Sequence, residues 1–447
     1  MSDVMSRRDA LKLFGSAALL GSVAVPTEAE AKKYKKINKK IVILGGGLGG
    51  ISLAAKLNRD LPNSDIVIVD GDETFYYQPG FTLIGIGFYQ KEDVIFDKNT
   101  IMPKGVEWVK QHVNAIKPEQ NSVVLANGES LSYDYLVVAT GLQYEFEAVK
   151  GLTLDDINNP NTNISSIYTL DGAVKTNKLM EEFANKGGKA IFADQKSAMK
   201  CSGANKKMVC MSEDRLRRAK NRKKGDVHLY IGGGTLFGDP TYAAVMSQIM
   251  VERDIKYTFR HQIVEVDQSR NVATFEHWMP YKENGEDKIA TELVEVEYDW
   301  FHLPPKQVGF QFLADAGLTK EGDKFNWLAV NKQTLQSTKY ENIFGIGDIL
   351  GIPMGKTGAS VRKMYPTVFQ NIVNHAEGKP LVDGYDGYTA CPFLTRYGKA
   401  IMVEFNWEGT ASSMEAFGKT RESYINWLAK VYGFKPMIMK GMMKGLV

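Results

Sequence analysis

The sequence is poor in cysteine, and its body has no long uncharged apolar run. Only three of its 447 residues are cysteines, Cys201, Cys210 and Cys391, which excludes a scaffold held together by many disulfides. No stretch beyond the first residues reaches ~18 consecutive apolar residues, so a membrane-spanning helix is not expected. The net charge of +3 is too small to indicate a nucleic-acid partner, and we assign no metal site.

The composition is that of an ordinary globular protein. Hydrophobic residues make up 44% of the chain and charged residues 24%. A chain of this length is enough for two or three packed domains, and nothing in it indicates a disordered or fibrous protein.

The first residues have the pattern of a twin-arginine export signal. Arg7 and Arg8 precede a mildly apolar stretch over residues 11–25, and Ala29-Glu30-Ala31 follows as a cleavage site of the A-x-A type. An amphipathic first helix is the alternative. We favour the signal, which places the mature protein in the periplasm. Export in the folded state suits a protein that acquires a cofactor in the cytoplasm.

A glycine-rich turn near the start of the mature chain indicates a dinucleotide site. A short apolar strand, Ile41–Leu44, leads into Gly45-x-Gly47-x-x-Gly50, and a helical pattern follows. The next apolar strand ends in Asp70, about 20 residues on. Glycines let backbone amides and the helix N-terminus approach a pyrophosphate, and Asp70 would accept hydrogen bonds from the adenosine ribose.

Two later segments favour FAD as the dinucleotide. "YDYLVVATG" (133–141) is a strand that ends at Thr140 and Gly141, and "NIFGIGDILGIP" (342–353) is a strand that reaches Gly347 and Asp348. Both resemble the second and third FAD contacts of flavoproteins with two dinucleotide-binding domains. In those proteins the aspartate holds the ribityl–phosphate part of FAD.

A second dinucleotide-like unit has an unsuitable turn. A strand (Val227–Ile231) and a helix (Tyr242–Val251) are predicted, but Gly232-Gly233-Gly234 lead into Phe237, Asp239 and Pro240. Asp239 brings negative charge to the place of a pyrophosphate, and the next strand, "IKYTFR", lacks an acid for a ribose. We therefore predict a Rossmann-like domain without a nicotinamide site.

Cys201 has the surroundings of a reactive thiol. It follows a predicted strand (190–193), precedes a predicted helix (207–219) and has Lys200, Lys206 and Lys207 nearby. Cations and a helix N-terminus lower a thiol pKa, and the thiolate is the form that attacks sulfur compounds. The alternative is a small buried apolar side chain.

The other two cysteines differ from Cys201. Cys210 lies among Met208, Val209 and Met211 at helical spacing, which favours core packing. Cys391 precedes Pro392, which favours an extended backbone, and it follows the last FAD segment. The sequence does not show whether Cys201 and Cys391 meet.

Five segments together resemble the sulfide:quinone oxidoreductase family, especially the branch that includes the mitochondrial enzyme, over nearly all of the mature chain. They are "FYYQPGFTLIGIG" (75–87), "KCSGANKKM" (200–208), "LPPKQVG" (303–309), "IFGIGDILGIPMGKTGASV" (343–361) and "YDGYTACPFLTRYGKAIMVEF" (385–405). The last is the most specific. One departure is that some members carry a further cysteine ahead of the position of Cys201, whereas the spare cysteine here, Cys210, follows it.

The resemblance implies a redox-active pair, Cys201 and Cys391, beside non-covalently bound FAD. Hydrosulfide would attack the disulfide or a sulfur-bridged form of it and leave a persulfide on one cysteine. Two electrons would pass through FAD to a membrane quinone, and the sulfane sulfur would leave to an acceptor or grow into polysulfide. Lys356 would lie near the flavin pyrimidine and the quinone, where its charge would stabilise reduced flavin.

The C-terminal stretch is predicted to form two short helical segments broken at Gly433 and Pro436. A Met-rich arc lies on one side, with Lys440 and Lys444 on the other; the arc comprises Ile438, Met439, Met442, Met443 and Leu446. We favour a helix in the membrane interface, which agrees with the family's docking by C-terminal helices, although a core-facing helix has the same periodicity. The basic run 215–224 fits a solvated helix surface better than a lipid contact.

The predicted fold is α/β, with two Rossmann-like domains of a disulfide-reductase-like flavoprotein and C-terminal membrane-docking helices. The predicted segments are a signal (1–31), the first part of the FAD domain (37–160), the second Rossmann-like domain (161–298), the second part of the FAD domain (299–380), and a redox-cysteine and membrane-interface region (381–447). The mature protein would lie peripherally on the periplasmic face of the inner membrane. A homo-oligomer is left open.

Three rival functions remain. A periplasmic flavocytochrome c sulfide dehydrogenase subunit would attach FAD through a cysteine, and "YYQPG" (76–80) has none. An NADH:quinone oxidoreductase would need the second nucleotide turn. A non-catalytic flavin-fold subunit would not need both cysteines.

Overall fold

The structure is a computed structural model that describes Tyr34, residues 36–410 and residues 420–447. The predicted export signal, residues 1–31, lies outside the described residues.

The first sheet is the predicted FAD-domain sheet. It has five parallel strands whose neighbours are, in order, Ile343–Gly345, Tyr135–Val138, Lys40–Leu44, Asp65–Val69 and Glu107–Val109. The central strands are apolar because helices cover the sheet. Their carboxyl ends meet at one edge, where ligands bind in open α/β sheets.

The second sheet is also parallel and has five strands. Their order is Ile164–Ser165, Trp300–His302, Gly188–Asp194, Gly225–Ile231 and Lys256–Phe259. The second domain therefore runs past the predicted boundary at residue 298, since Trp300 and Phe301 are buried within this sheet.

The long helices of these two domains span 13 to 19 residues. They are Leu48–Asp60, Leu170–Lys186, Ala204–Arg218, Pro240–Glu252 and Gly358–Ala376. We name Ala204–Arg218 the cysteine helix. It begins three residues earlier than predicted, and Pro240–Glu252 begins two residues earlier because Asp239 caps it.

Cys391 lies in a strand of a small antiparallel C-terminal sheet. The strands are Thr389–Arg396, Lys399–Asn406 and Gly409–Thr410, and Cys391 pairs with Val403. The extended backbone predicted at Cys391 is confirmed. Pro392 is tolerated there because its strand has a neighbour on one side only.

The C-terminal stretch does not break at Gly433 and Pro436 as predicted. A helical segment, which we name the C-terminal segment, runs over residues 424–444. The α-helical turns Tyr424–Leu428 and Phe434–Pro436 alternate with the π-helical turns Ala429–Gly433 and Met437–Gly441, and Met442–Lys444 is a 3₁₀ turn. The wider π-helical turns before and after Phe434–Pro436 accommodate Pro436, which has no N–H group to donate.

The prediction that the Met-rich arc faces a membrane is wrong for most of its members. Ile438, Met442 and Met443 are buried, and the final turn packs on the helix Leu48–Asp60, whose Arg59 donates to the Gly445 carbonyl at 2.9 Å. A helix that covers a core has the same apolar period as one that lies in a membrane interface.

Shorter elements complete the fold. Two of the remaining sheets have two strands each: Thr74–Tyr76 pairs with Ile95–Asp97, and Gln143–Glu145 pairs with Lys306–Val308. Two others have three strands each. In order, one contains Val113–Lys117, Ser122–Leu125 and Ser130–Ser132, and the other contains His261–Asp267, Val272–Glu283 and Glu286–Glu297. The short helices are Phe81–Gly85, Lys98–Ile101, Leu154–Asn158 and Gln311–Asp315, with 3₁₀ turns at Gln78–Gly80, Lys91–Asp93, Pro118–Gln120 and Arg222–Lys224. Within the described part of the chain, no helix combines the length and apolarity that crossing a membrane requires.

Asp239→Ala is expected to lower the stability of the second domain. Asp239 caps Pro240–Glu252 by accepting from the Tyr242 amide at 3.1 Å, and its other oxygen accepts from the Thr410 hydroxyl at 2.8 Å. Loss of a cap costs ~1 kcal/mol, so thermal unfolding followed by circular dichroism should shift down by a few degrees (about 2–4 °C per kcal/mol). The control is Asp287→Ala, at a side chain that is 87% exposed. Equal melting of the two variants would contradict the capping role.

Candidate functional site

The first glycine turn has the shape of a pyrophosphate cradle. A Cβ on Gly45, whose φ is +107°, would collide with the Ala139 carbonyl, and a Cβ on Gly50 would collide with the Gly45 carbonyl. Gly47 has open space around the Cβ position. No side chain caps the helix Leu48–Asp60, and its first turn has no acid. Its first amides can therefore face an anion.

Asp70 lies at the carboxyl end of its strand as predicted, but its carboxylate has protein partners. Oδ2 accepts from the Gly46 amide and pairs with the buried Lys98 ammonium at 2.8 Å, while Oδ1 accepts from the Asp72 amide at 2.9 Å. A carboxylate has about four acceptor positions. One remains for a ribose hydroxyl.

The other predicted cofactor residues lie along the same sheet edge. Gly141 and Gly347 have φ values of +70° and +86°, and there is open space around the Cβ position of Gly141. Thr140 Oγ1 is buried, and no partner for it lies among the described residues. An orphaned hydroxyl beside open glycine backbone fits an absent polar ligand. The cradle, Thr140 and Asp348 together fit FAD.

Lys356 connects the cofactor edge with the cysteines. Its side chain is buried, and Nζ donates to the Asp348 and Leu350 carbonyls, the latter at 2.7 Å. Nζ also lies 4.2 Å from the centre of the Trp327 ring. Burial lowers the Lys356 pKa to about 8. The Lys356 carbonyl accepts from the Cys201 amide at 3.0 Å.

The structure brings Cys201 and Cys391 together across 190 residues of sequence. Their Sγ atoms lie 3.8 Å apart. Cys391 is buried and Cys201 is partly exposed. The Cys201 backbone has φ +47°, in the left-handed region. Its carbonyl accepts from the Ala204 amide at 2.6 Å, so the turn that opens the cysteine helix holds the thiol in a strained conformation of the kind found at functional sites.

The two thiols have opposite pKa shifts. Hydrogen bonding from Cys391 and the charges of Lys207 and Lys430 hold the Cys201 pKa well below its ordinary value, against the effect of burial. The Cys391 pKa is well above its ordinary value because of the hydrogen bond between the two sulfurs, the burial of Cys391 and the nearby Cys201 charge. In the reduced pair the thiolate is therefore on Cys201.

Two buried lysines supply positive charge to this thiolate. Lys207 Nζ lies 3.7 Å from Cys201 Sγ, and Lys430 Nζ donates to the Pro79 carbonyl at 2.6 Å. Among the described residues neither lysine pairs with a carboxylate. The sulfurs outweigh burial and raise the Lys207 pKa to about 12, whereas burial and the charge of Lys207 lower the Lys430 pKa to about 7.

Sequence reasoning found Lys207 but missed Lys430. Of the three lysines predicted to surround Cys201, Lys206 pairs with the buried Asp194 and Lys200 donates to Gln78, so only Lys207 contacts the sulfur. Lys430 comes from the C-terminal segment. The one available signal was a lysine within the apolar run "NWLAKVY", which is atypical of a packed helix.

Cys210 lies outside the pair. It is 1% exposed within the core, and burial raises its pKa to about 12. The second glycine turn likewise lacks the form of a nucleotide site, because the Asp239 carboxylate occupies the helix N-terminus where a phosphate would bind. Within the described residues no group of three or more His, Cys, Asp or Glu side chains could hold a metal ion.

The fold and site define a class of protein. The family described as "Pyridine nucleotide-disulphide oxidoreductase" matches residues 39–367. The solved sulfide:quinone oxidoreductase of Aquifex aeolicus shares the fold, with a TM-score of 0.70, 22% identity and 90% of each chain covered. A chain of the Tetrahymena thermophila mitochondrial ATP synthase structure also shares it, with a TM-score of 0.77, 20% identity, and 91% of this chain and 96% of that chain covered. The protein is a flavoprotein of the disulfide-reductase type.

Sequence relatives narrow the class to one family. The mitochondrial sulfide:quinone oxidoreductase of Dictyostelium discoideum is 35% identical over 431 residues, which are 96% of this chain and 90% of that protein. The mitochondrial enzyme of Schizosaccharomyces pombe is 33% identical, with 87% of this chain and 84% of that protein covered. The chain belongs to the sulfide:quinone oxidoreductase family, as the sequence motifs predicted.

Lys207→Met is expected to raise the Cys201 pKa. In the reduced holoenzyme, alkylation of Cys201 by iodoacetamide should stay fast below the ordinary thiol pKa of ~8.5, and should slow only as the pH falls through the lowered pKa of Cys201. Removing an adjacent cation should move this midpoint up by about 1 pH unit or more. Peptide mass spectrometry measures the rate at each pH.

Lys223→Met, at an exposed lysine near the end of the cysteine helix, is the matched control and should leave the midpoint unchanged. An unshifted midpoint in Lys207→Met would refute the electrostatic role of Lys207.

Proposed function

We propose that this protein oxidises hydrogen sulfide to sulfane sulfur through Cys201 and Cys391, and passes two electrons by way of FAD to a membrane quinone. The observation that carries the proposal is the 3.8 Å approach of these two sulfurs. The turn that carries Cys201 is hydrogen-bonded through its amide to the Lys356 carbonyl, in the segment that also carries Gly347 and Asp348. The family membership supports the same reaction.

The different pKa values of the two thiols indicate which sulfur of the disulfide hydrosulfide attacks. A thiolate of lower pKa is the better leaving group in thiol–disulfide exchange. Hydrosulfide attack on the Cys391 sulfur of an oxidised pair breaks the disulfide, forms a persulfide on Cys391 and releases Cys201 as thiolate. Attack on Cys201 would leave a buried Cys391 thiolate, which its surroundings disfavour.

Lys207 and Lys430 stabilise the charge that this step transfers. The anion arrives as hydrosulfide and ends as the Cys201 thiolate, so the negative charge stays near the Lys207 ammonium group and the Lys430 side chain. Lys207 remains protonated throughout the neutral range. Lys430, with a pKa of about 7, can hold or release a proton beside the sulfurs at neutral pH.

When the Cys201 thiolate re-forms its link to Cys391, directly or through the sulfane sulfur, two electrons are released, and FAD held in this site would supply the acceptor that relays them to the quinone. In the proposed site the glycine turn holds its pyrophosphate, Asp70 its adenosine ribose, and Asp348 its ribityl–phosphate part. Lys356 supplies the positive charge that the family resemblance assigns beside the flavin. Two backbone carbonyls and the Trp327 ring hold its ammonium group.

We propose membrane association through the C-terminal segment, with a different contact face from the one predicted. Tyr424 and Ile425 are 49% and 40% exposed, and Lys440 and Lys444 are exposed. Exposed apolar side chains together with lysines suit an interface with lipid headgroups. This segment also carries Lys430, so the same element that would contact the membrane reaches the cysteine site.

Two features favour quinone and sulfide over the rival functions. Residues 76–80 contain no cysteine for a covalent flavin bond of the flavocytochrome type. The second domain places Asp239 where an NADH pyrophosphate would bind.

Cys201→Ser and Cys391→Ser are expected to keep FAD and lose sulfide-driven bleaching of its absorbance. Neither hydroxyl can form the disulfide that hydrosulfide attacks, so anaerobic bleaching should slow by at least ~10³-fold, the usual order for loss of a covalent nucleophile. Stopped-flow absorbance measures the rate. Cys210→Ser is the control, because Cys210 lies in the core, and it should bleach at the wild-type rate. Wild-type bleaching in either pair mutant would remove the thiol mechanism.

Arg7→Lys with Arg8→Lys is expected to block export. A paired-lysine signal is a poor substrate for the twin-arginine pathway, so the flavoprotein should accumulate in the cytoplasm of a bacterial host with that pathway. Cell fractionation with antibody detection locates it. Undiminished periplasmic protein would show that these residues are not such a signal.

A further inference from the structure

Gln307 lies between the cofactor edge and the cysteine pair. Its strand, Lys306–Val308, pairs antiparallel with Gln143–Glu145, a strand that follows the second predicted FAD contact. The Gln307 side chain is fully buried, and its amide oxygen accepts from the Lys200 backbone amide at 2.7 Å. This one side chain therefore reaches from the cofactor edge to the residue that precedes Cys201.

The hydrogen bond to Lys200 fixes which way the Gln307 amide points. A backbone N–H can only donate, so the side-chain atom that faces it is the oxygen, and the nitrogen points elsewhere. That nitrogen, Nε2, is buried, and no partner for it lies among the described residues. An unpaired buried donor is costly, so Nε2 requires an acceptor that a bound molecule supplies.

Two other buried donors without a described partner lie on segments around the same place. Thr140 Oγ1 is on the turn that leads into the strand paired with that of Gln307, and Trp327 Nε1 is on the ring that the Lys356 ammonium group contacts. The Lys356 carbonyl accepts from the Cys201 amide, next to the amide that Gln307 holds. Unpaired donors on segments that contact one another indicate one ligand rich in acceptors. The carbonyl oxygens and ring nitrogens of a flavin are such acceptors.

The backbone of Lys200 is also held from its carbonyl side. The hydroxyl of the buried Tyr168 donates to the Lys200 carbonyl at 3.0 Å. Tyr168 and Gln307 therefore both fix the turn in which Cys201 has its left-handed backbone conformation. Of these two side chains, only Gln307 has a polar atom for which no partner lies in the described part of the chain.

We propose that Gln307 bridges the flavin and the Cys201 turn: its amide nitrogen donates a hydrogen bond to an acceptor atom of the flavin ring, while its amide oxygen holds Lys200. The proposal rests on the function proposed above, which uses FAD at this edge. Reduction makes a flavin ring more negative, so a hydrogen bond donated to the ring is stronger after reduction. The Gln307 amide therefore raises the reduction potential of the flavin and holds the thiol turn beside it.

Gln307→Met tests the bridge, and Tyr168→Phe is its control. Methionine is close to glutamine in size but has no amide, whereas Tyr168→Phe loosens the same turn and leaves Gln307 Nε2 in place. Anaerobic spectroelectrochemistry of the holoenzyme gives the flavin potential, in a Cys391→Ser background in which the cysteine pair cannot take up electrons. Gln307→Met should disfavour reduction at least ~10-fold, a fall of ~30 mV for a two-electron couple. Tyr168→Phe should leave the potential unchanged.

Equal potentials in all three proteins would overturn the bridge, and an equal fall in both variants would show that Gln307 acts only through the turn. If Gln307→Met folds, by circular dichroism, but holds FAD too weakly for electrochemistry, the fluorescence of FAD released on dilution replaces that measurement. Release should then be at least ~3-fold greater than from Tyr168→Phe, and equal release would contradict the bridge. The potential requires neither sulfide nor quinone. A wild-type flavin that sulfide fails to bleach would reject the proposed function and leave these comparisons intact.

Discussion

The site depends on one constraint: the Cys201 thiolate is held beside two buried lysines from distant parts of the chain, of which Lys207 stays protonated and Lys430 has a pKa of about 7. Lys207 comes from the cysteine helix and Lys430 from the C-terminal segment. A buried cation without a carboxylate partner is costly, and the Cys201 sulfur supplies the missing counter-charge. The arrangement makes the thiols unequal, and the proposed order of sulfur transfer follows from that inequality.

The cofactor edge was predictable from the sequence because it depends on local backbone geometry. Only glycine fits at residues 45 and 50, because a Cβ atom added there would collide with a backbone carbonyl. The spacing of these glycines therefore predicted the turn without any knowledge of the rest of the fold. The sequence also placed the negative charge of Asp239 at the second glycine turn, because Asp239 lies directly before the helix Pro240–Glu252. The pairing of Cys201 with Cys391 was available only through the family resemblance, since it depends on how two domains pack.

Other features were beyond sequence reasoning because they depend on tertiary packing. The apolar arc at the C-terminus has the period of an interfacial helix and of a core-covering helix alike, and packing on Leu48–Asp60 decided between them. Lys430 resembles any lysine of an amphipathic segment until the segment is placed beside Pro79 and the sulfurs. The end of the second domain was misplaced because Trp300–His302 returns to that sheet after a long hairpin.

The location of the first persulfide tests the central claim most directly. The oxidised holoenzyme receives one equivalent of sulfide without oxygen, quinone or sulfur acceptor, is quenched with the alkylating reagent before the flavin absorbance bleaches, and is digested for peptide mass spectrometry. If the Cys201 thiolate is the leaving group that its two lysines make it, the extra sulfur atom will be on the peptide that contains Cys391, with Cys201 alkylated as a plain thiol. The extra sulfur on Cys201, with Cys391 as the plain thiol, would contradict the account.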